Sequence, residues 1–241
     1  MTQANLAKVV DFDFNKHLPQ SAAEKTNDLF YILCTLYFAE KNQKELTRLT
    51  LQKTIYKTSQ KLAEKNKLSF FTTYFYVNTL GPFNYMFYGY LEELESADLL
   101  EVEKKDIYLT PKGERVISQL FKEIDGEEGL QIILNELQKQ TNNYANNPTK
   151  AISDTHSQRV VDSTDKNKVK TIETLIQETS PQKQFSSPTQ FKYIEPPNFQ
   201  ETKKYTIPPS VINKLENATA NIDSQIDYEL FDNKSTGFLP T

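Results

Sequence analysis

With one cysteine, two histidines, six glycines and no tryptophan in 241 residues, the sequence closes several classes of chemistry. A lone thiol, Cys34, cannot form an intramolecular disulfide. It sits in the apolar run LFYILCTLYFA, which predicts a buried thiol acting as a small hydrophobe. His17 and His156 are far apart, whereas a zinc site draws several Cys or His ligands from close spacing, so no metal is expected. A cysteine–histidine nucleophile is disfavoured for the same reason, and because a reactive thiolate needs a polar, accessible setting. The glycines are dispersed and give neither G-x-G-x-x-G nor Walker spacing, so no phosphate loop and no nucleotide cofactor is expected. The acidic stretch EELESAD has no His or Lys arrangement that implies acid–base work. The expectation is a chain that is not an enzyme and takes no cofactor.

Long hydrophobic runs are missing as well. LFYILCTLYFA spans residues 29–39, short of the ~20 apolar residues of a membrane-spanning helix. The opening MTQANLAKVVDFDF lacks the charged, apolar and small-residue regions of a signal peptide. Both point to a cytoplasmic protein with no membrane partner. The net charge of −4 and pI near 5.4 give no overall electrostatic footprint for nucleic acid.

What is present divides the chain. Of 11 prolines, eight lie at or beyond Pro148, and from about residue 141 the text becomes TNNYANNPTKAISDTHSQ and SPQKQFSSPTQFKYIEPPNFQ. Such stretches hold too little contiguous apolar surface to offset the entropy of ordering them. The expected organisation is an N-terminal segment over 1–20, a folded unit over 21–140, and a flexible linker and tail over 141–241 with a short helix at 210–230.

Within the folded unit, residues 22–41 are apolar almost all round, the mark of a central buried helix. Residues 44–66 place Leu51, Ile55 and Leu62 at helical spacing, with Lys53, Lys57, Lys61 and Lys65 recurring every four on the opposite side. Gly81-Pro82 predicts a helix start, since proline's missing N–H has no intrahelical partner there. From it, Phe83, Met86, Phe87, Tyr90, Leu91 and Leu94 mark a core face, while Tyr85, Tyr88, Gly89 and Glu92 fall opposite. LLEVE and DIYLT read as a hairpin turning at Lys104-Lys105, and Thr110-Pro111 as the cap of the next helix. The fold class expected is mainly α within α+β: a winged-helix-like helical domain with a two-stranded hairpin, followed by a long, largely disordered C-terminal region.

The segments LTLQKTIYKTSQ (49–60), LGPFNYMFYGYLEELESADLLE (80–101) and IYLTPKGERVI (107–117) resemble the SocA-like antitoxin domain, also called Panacea. The resemblance covers about residues 22–125. It implies a protein-binding role, that of an antitoxin that holds or delivers a toxin, rather than catalysis. In this chain YVNTLGP stands where the family commonly has a W-x-YGP-type approach.

Two surfaces offer themselves for a partner. Residues 41–67 carry eight cations against two acids. With Lys104 and Lys105, the Lys53, Lys57, Lys61 and Lys65 stripe reads either as a solvated face or as a nucleic-acid-binding surface. The helix expected at 82–97 instead offers Glu92, Glu93 and Glu95 and no base, with Asn84 alone suited to a base edge. Acid of this kind excludes DNA and suits a protein partner with basic and apolar surface. Tyr85, Tyr88 and Glu92 are therefore the candidate partner-binding residues, joined by Ile212, Leu215, Ile222 and Ile226 on the amphipathic segment of the tail. The functional expectation is a non-catalytic, antitoxin-like or defence-related module that controls a partner protein. A DNA-binding regulator and a subunit of a larger complex are the alternatives, with oligomeric state open.

Overall fold

A computed structural model describes residues 6–11, 20–124, 126–178 and 192–220. In chain order the elements are β1 (Ala7–Asp11), α1 (Ala22–Lys41), β2 (Leu46–Thr47), α2 (Arg48–Asn66), β3 (Leu68–Ser69), β4 (Phe75–Asn78), β5 (Gly81–Phe83), α3 (Met86–Ser96), β6 (Leu100–Glu103) and β7 (Asp106–Leu109). They continue with α4 (Pro111–Glu123), α5 (Glu128–Tyr144), α6 (Pro148–His156), β8 (Arg159–Asp162), β9 (Lys168–Thr171), α7 (Ile172–Glu178), β10 (Lys192–Glu195), β11 (Lys203–Lys204) and α8 (Pro209–Ala220).

Helix α1 is the axis. Ser21 caps it, accepting the Glu24 N–H while Glu24 Oε2 accepts the Ser21 N–H at 2.9 Å, a reciprocal capping box. Leu29, Phe30, Ile32, Leu33 and Leu36 are all 1% exposed or less, and burying each such side chain stabilises by ~1.5–3 kcal/mol. Helices α2, α4, α5 and α8 surround it, so a helix apolar on every side has apolar neighbours on every side. Cys34 lies at its centre, fully buried, and burial pushes its thiol well above the ordinary range.

The winged-helix expectation is overturned by the main sheet. It has six strands in the order β5-β4-β10-β1-β8-β9. Only the β1–β8 pair is parallel, making the sheet mixed. The chain is thus α+β, with strands drawn from both ends of the sequence. The 100–109 hairpin does not project as a wing. Strand β7 takes β2 as a third strand, and Glu40 Oε1 of α1 accepts the Leu109 N–H at 2.5 Å.

The expected long disordered C-terminal region is corrected with it for residues 141–178 and 192–220; the rest of that region lies outside the described residues. Helices α6, α7 and α8 and strands β8, β9 and β10 dock on the body, burying Ala151, Val160, Ile172, Leu175, Ile194, Ile207, Val211 and Leu215. Each segment is poor in apolar residues by itself, as its composition indicates. Each needs only a few because it borrows a core already built by residues 22–140.

The start of α3 is corrected too. Pro82 is not helical: it pairs with Val77 in β5, an edge strand, where its missing N–H costs no ladder bond. Thr79-Leu80 make the two-residue turn, and Gly81 takes φ +86°, the left-handed conformation that glycine adopts without steric cost. The helix begins only at Met86. Thr110, by contrast, caps α4 as expected, accepting the Gly113 N–H at 3.0 Å with Pro111 as the first helical residue.

Candidate functional site

The turn, the edge strand and α3 together build one face. Asn84 fixes the junction: its N–H donates to Gln52 Oε1 at 2.9 Å, its Nδ2 donates to Thr73 Oγ1 at 2.7 Å, and its Oδ1 accepts the Met86 N–H at 2.8 Å. The side chain is fully buried, so the one residue that sequence offered for a base edge has no reach to one.

Anchored there, the chain turns its apolar side chains outward. Six large apolar residues are exposed among the described residues, and four of them fall between 80 and 88: Leu80 at 51%, Tyr85 at 49%, Met86 at 48% and Tyr88 at 50%. Met86, expected in the core, belongs to this face because α3 starts late and its first turn stands clear of the body. The rings form a continuous strip. Phe83 lies 4.8 Å from Tyr85 and 5.9 Å from Tyr88 between centroids, and Tyr76 lies 5.7 Å from Tyr85. The Arg48 guanidinium sits 6.0 Å over Tyr88, within cation–π range. Further along α3 the same side carries exposed Glu92 and Glu95, then Asp98, with Glu101 and Glu103 of β6 beyond. Glu93 instead pairs with Lys25 at 3.0 Å. The face runs from aromatic to acidic over about three helical turns.

The lysines do not form one surface. Lys53 is 1% exposed and donates to the Pro82 carbonyl at 2.5 Å; burial pulls its ammonium down to about 7. Lys57 is partly buried, donates to Gln158 Oε1 at 3.1 Å, and is pulled down to about 8, again chiefly by burial. The side of α2 expected to face solvent is covered by β5 and α6, the latter from the region expected to be tail. Lys61 bridges Glu64 at 3.3 Å. Lys65, Lys104 and Lys105 are exposed, the last two at the β6–β7 turn.

The tail residues are corrected in part. Leu215 is fully buried and the partly buried Ile212 packs against the core, where α8 docks on α1 and α4. Ile222 and Ile226 lie outside the described residues.

Sequence reading missed a buried carboxylate. Asp28 Oδ1 accepts the Thr72 N–H at 2.8 Å; its Oδ2 accepts from Thr72 Oγ1 at 2.8 Å, Gln20 Nε2 at 3.0 Å and Tyr90 Oη at 3.2 Å. Burial raises its pKa to about 7 against the opposing pull of those donors. The signal was available: a helix buried on all sides must bury the Asn27-Asp28 pair it contains. The network ties α1 to the 70–73 segment and to α3, and thereby sets the angle at which the aromatic face is presented.

Among the described residues no cluster of three or more His, Cys, Asp or Glu could hold a metal ion, and no helix is long and apolar enough to cross a membrane. No protein-family model, curated protein or solved structure matches the chain.

Proposed function

We propose that this protein is a non-catalytic, cytoplasmic binding module that controls a partner protein through the face formed by Tyr85, Met86, Tyr88 and Glu92. The observation that carries this reading is the concentration of exposed rings at the start of α3 beside an acidic row along it. Tyrosines are favoured anchors because they offer large, stiff contact area with a polar tip. The acids select a partner with basic and apolar surface, and repel nucleic acid. The similarity of segments 49–60, 80–101 and 107–117 to SocA-like antitoxins supports an antitoxin-like role, with a toxin as the partner.

The test starts from the full-length chain isolated from its host with its stoichiometric partner, followed by affinity measurements on variants. Tyr88→Ala is expected to weaken binding by at least about 2 kcal/mol, roughly thirtyfold, with an unchanged melting temperature. Tyr85→Ala should act in the same direction. Glu92→Lys should slow association and reduce its salt dependence. Binding unaltered by both tyrosine variants, or a Tyr88→Ala chain that unfolds, would remove this face as the interface.

A further inference from the structure

A second site lies away from the aromatic face. The latter half of α2 and the starts of β1 and β8 border an open cavity of about 270 Å³, lined by Lys57, Gln60, Lys61, Glu64, Gln158 and Arg159 beside Leu6, Ala7 and Pro197. Lys57, Gln60, Lys61 and Glu64 share one side of the helix at i, i+3, i+4 and i+7 spacing. Three cations against one carboxylate leave an excess of two positive charges, and that carboxylate is engaged with Lys61.

Lys57 is the informative member. A partly buried ammonium ordinarily has a carboxylate partner, because desolvating an unpaired charge is costly. Asp154 is near enough to act on it electrostatically. However, Asp154 is already bound by Lys150 at 2.5 Å and by the Tyr144 hydroxyl at 3.2 Å. Lys57 is left with the side-chain oxygen of Gln158, whose own Nε2 donates to Gln60 Oε1 at 3.4 Å. This chain of amides orients Lys57 and leaves the Gln60 Nε2 without a hydrogen bond among the described residues. The Arg159 guanidinium, exposed at the mouth, has no ion pair among them either.

We infer that this cavity binds a small dianionic ligand, the phosphate group of a phosphate monoester, with Lys57, Arg159 and the Gln60 amide as its donors. Two excess charges and a fork of guanidinium donors suit a dianion of tetrahedral shape. The volume lies below the ~300–1,000 Å³ of drug-sized pockets, which favours a sugar phosphate over a polymer.

The experiment is calorimetric titration of the full-length protein, in low-salt buffer without phosphate, with inorganic phosphate and with ribose 5-phosphate. One saturable site is expected for both, with sodium chloride at matched ionic strength giving no such heat. Lys57→Met and Arg159→Gln should each weaken the site by at least about tenfold. Arg159→Gln alters an exposed side chain and keeps the fold, as melting temperature will verify. Lys65→Gln, outside the cavity, should bind as the wild type does. Absence of saturable heat up to roughly 10 mM ligand would overturn the inference. So would equal weakening by Lys65→Gln, which marks diffuse charge, or a single-stranded oligonucleotide that binds tightly and is not displaced by ribose 5-phosphate.

Discussion

Replacing Gly113 by alanine is expected to leave little folded protein. The added methyl would lie 1.9 Å from the Leu99 carbonyl oxygen and 2.8 Å from its carbon, so it meets backbone and not a side chain that can swing aside. Neither partner can retreat. The Leu99 N–H is held by the Leu94 carbonyl at 2.9 Å, and its carbonyl accepts the Thr110 N–H at 3.2 Å. Thr110 Oγ1 donates to the Asp98 carbonyl at 2.5 Å, and Lys112 Nζ donates to that of Ala97 at 2.7 Å. The first turn of α4 is thus stitched to the end of α3 on both sides of the clash. Overpacking in a core that can adjust costs ~1–3 kcal/mol. Here the expected loss is about 3 kcal/mol or more, against a typical total of ~5–15. Gly89→Ala is the control, since nothing beyond its chain neighbours and its own helix backbone lies within 4 Å of its added methyl; as an exposed helical glycine it should gain ~0.5–1 kcal/mol. Urea midpoints for the two variants measure both effects. A Gly113→Ala chain within ~0.5 kcal/mol of wild type would show that the α3–α4 junction moves freely.

Strong periodicity makes the helices that carry it legible in the sequence, together with the outward side of α3. Tyr88 and Glu92 lie where the period of 3.6 places them, because that period decides which side of a helix is buried; Tyr85 precedes the helix, and Met86 at its first position departs from the period. What it could not reveal was contributed by distant partners. Lys53 sits at a position of α2 that would be solvated on an isolated helical pair. It is buried because β5 and α6 cross it, and α6 begins 95 residues further along the chain, at Pro148. Strand β1 finds its neighbours at 159–162 and 192–195, pairings that no local pattern encodes. Composition misleads over 141–178 and 192–220 because it measures how much core a segment can supply. It does not measure how much core the rest of the chain offers it. Tail residues such as Val160 and Leu215 are fully buried on that borrowed surface.

Tertiary packing also traps charge, and a stability minimum near neutral pH is the expected consequence. Asp28 has a pKa of about 7 in the folded chain through burial, against ~3.9 for an unperturbed aspartate. Between those values the folded state holds a proton that the unfolded state has released, so stability falls as pH rises from about 4 to 7. Lys53, at about 7 when folded and ~10.4 when unperturbed, acts in the opposite sense. There the unfolded state binds the extra proton, and stability rises from about pH 7 to 10. Lys57, at about 8, adds to this upper limb. The carboxylates lowered by ion pairs, such as Glu24 at about 2 through Lys204 and Ser21, lose their contribution below about pH 4.5 and so leave the window between untouched. A tenfold change in proton affinity is worth ~1.4 kcal/mol, so the alkaline limb, to which two lysines contribute, should be the steeper of the two. Urea unfolding at about pH 4.5, 7 and 9.5 would trace the trough. Asp28→Asn should flatten the acid limb alone, and Lys53→Met should reduce the alkaline limb alone, leaving the part that Lys57 contributes. A wild-type profile that is level, or highest near neutrality, would mean that both groups find compensation on folding.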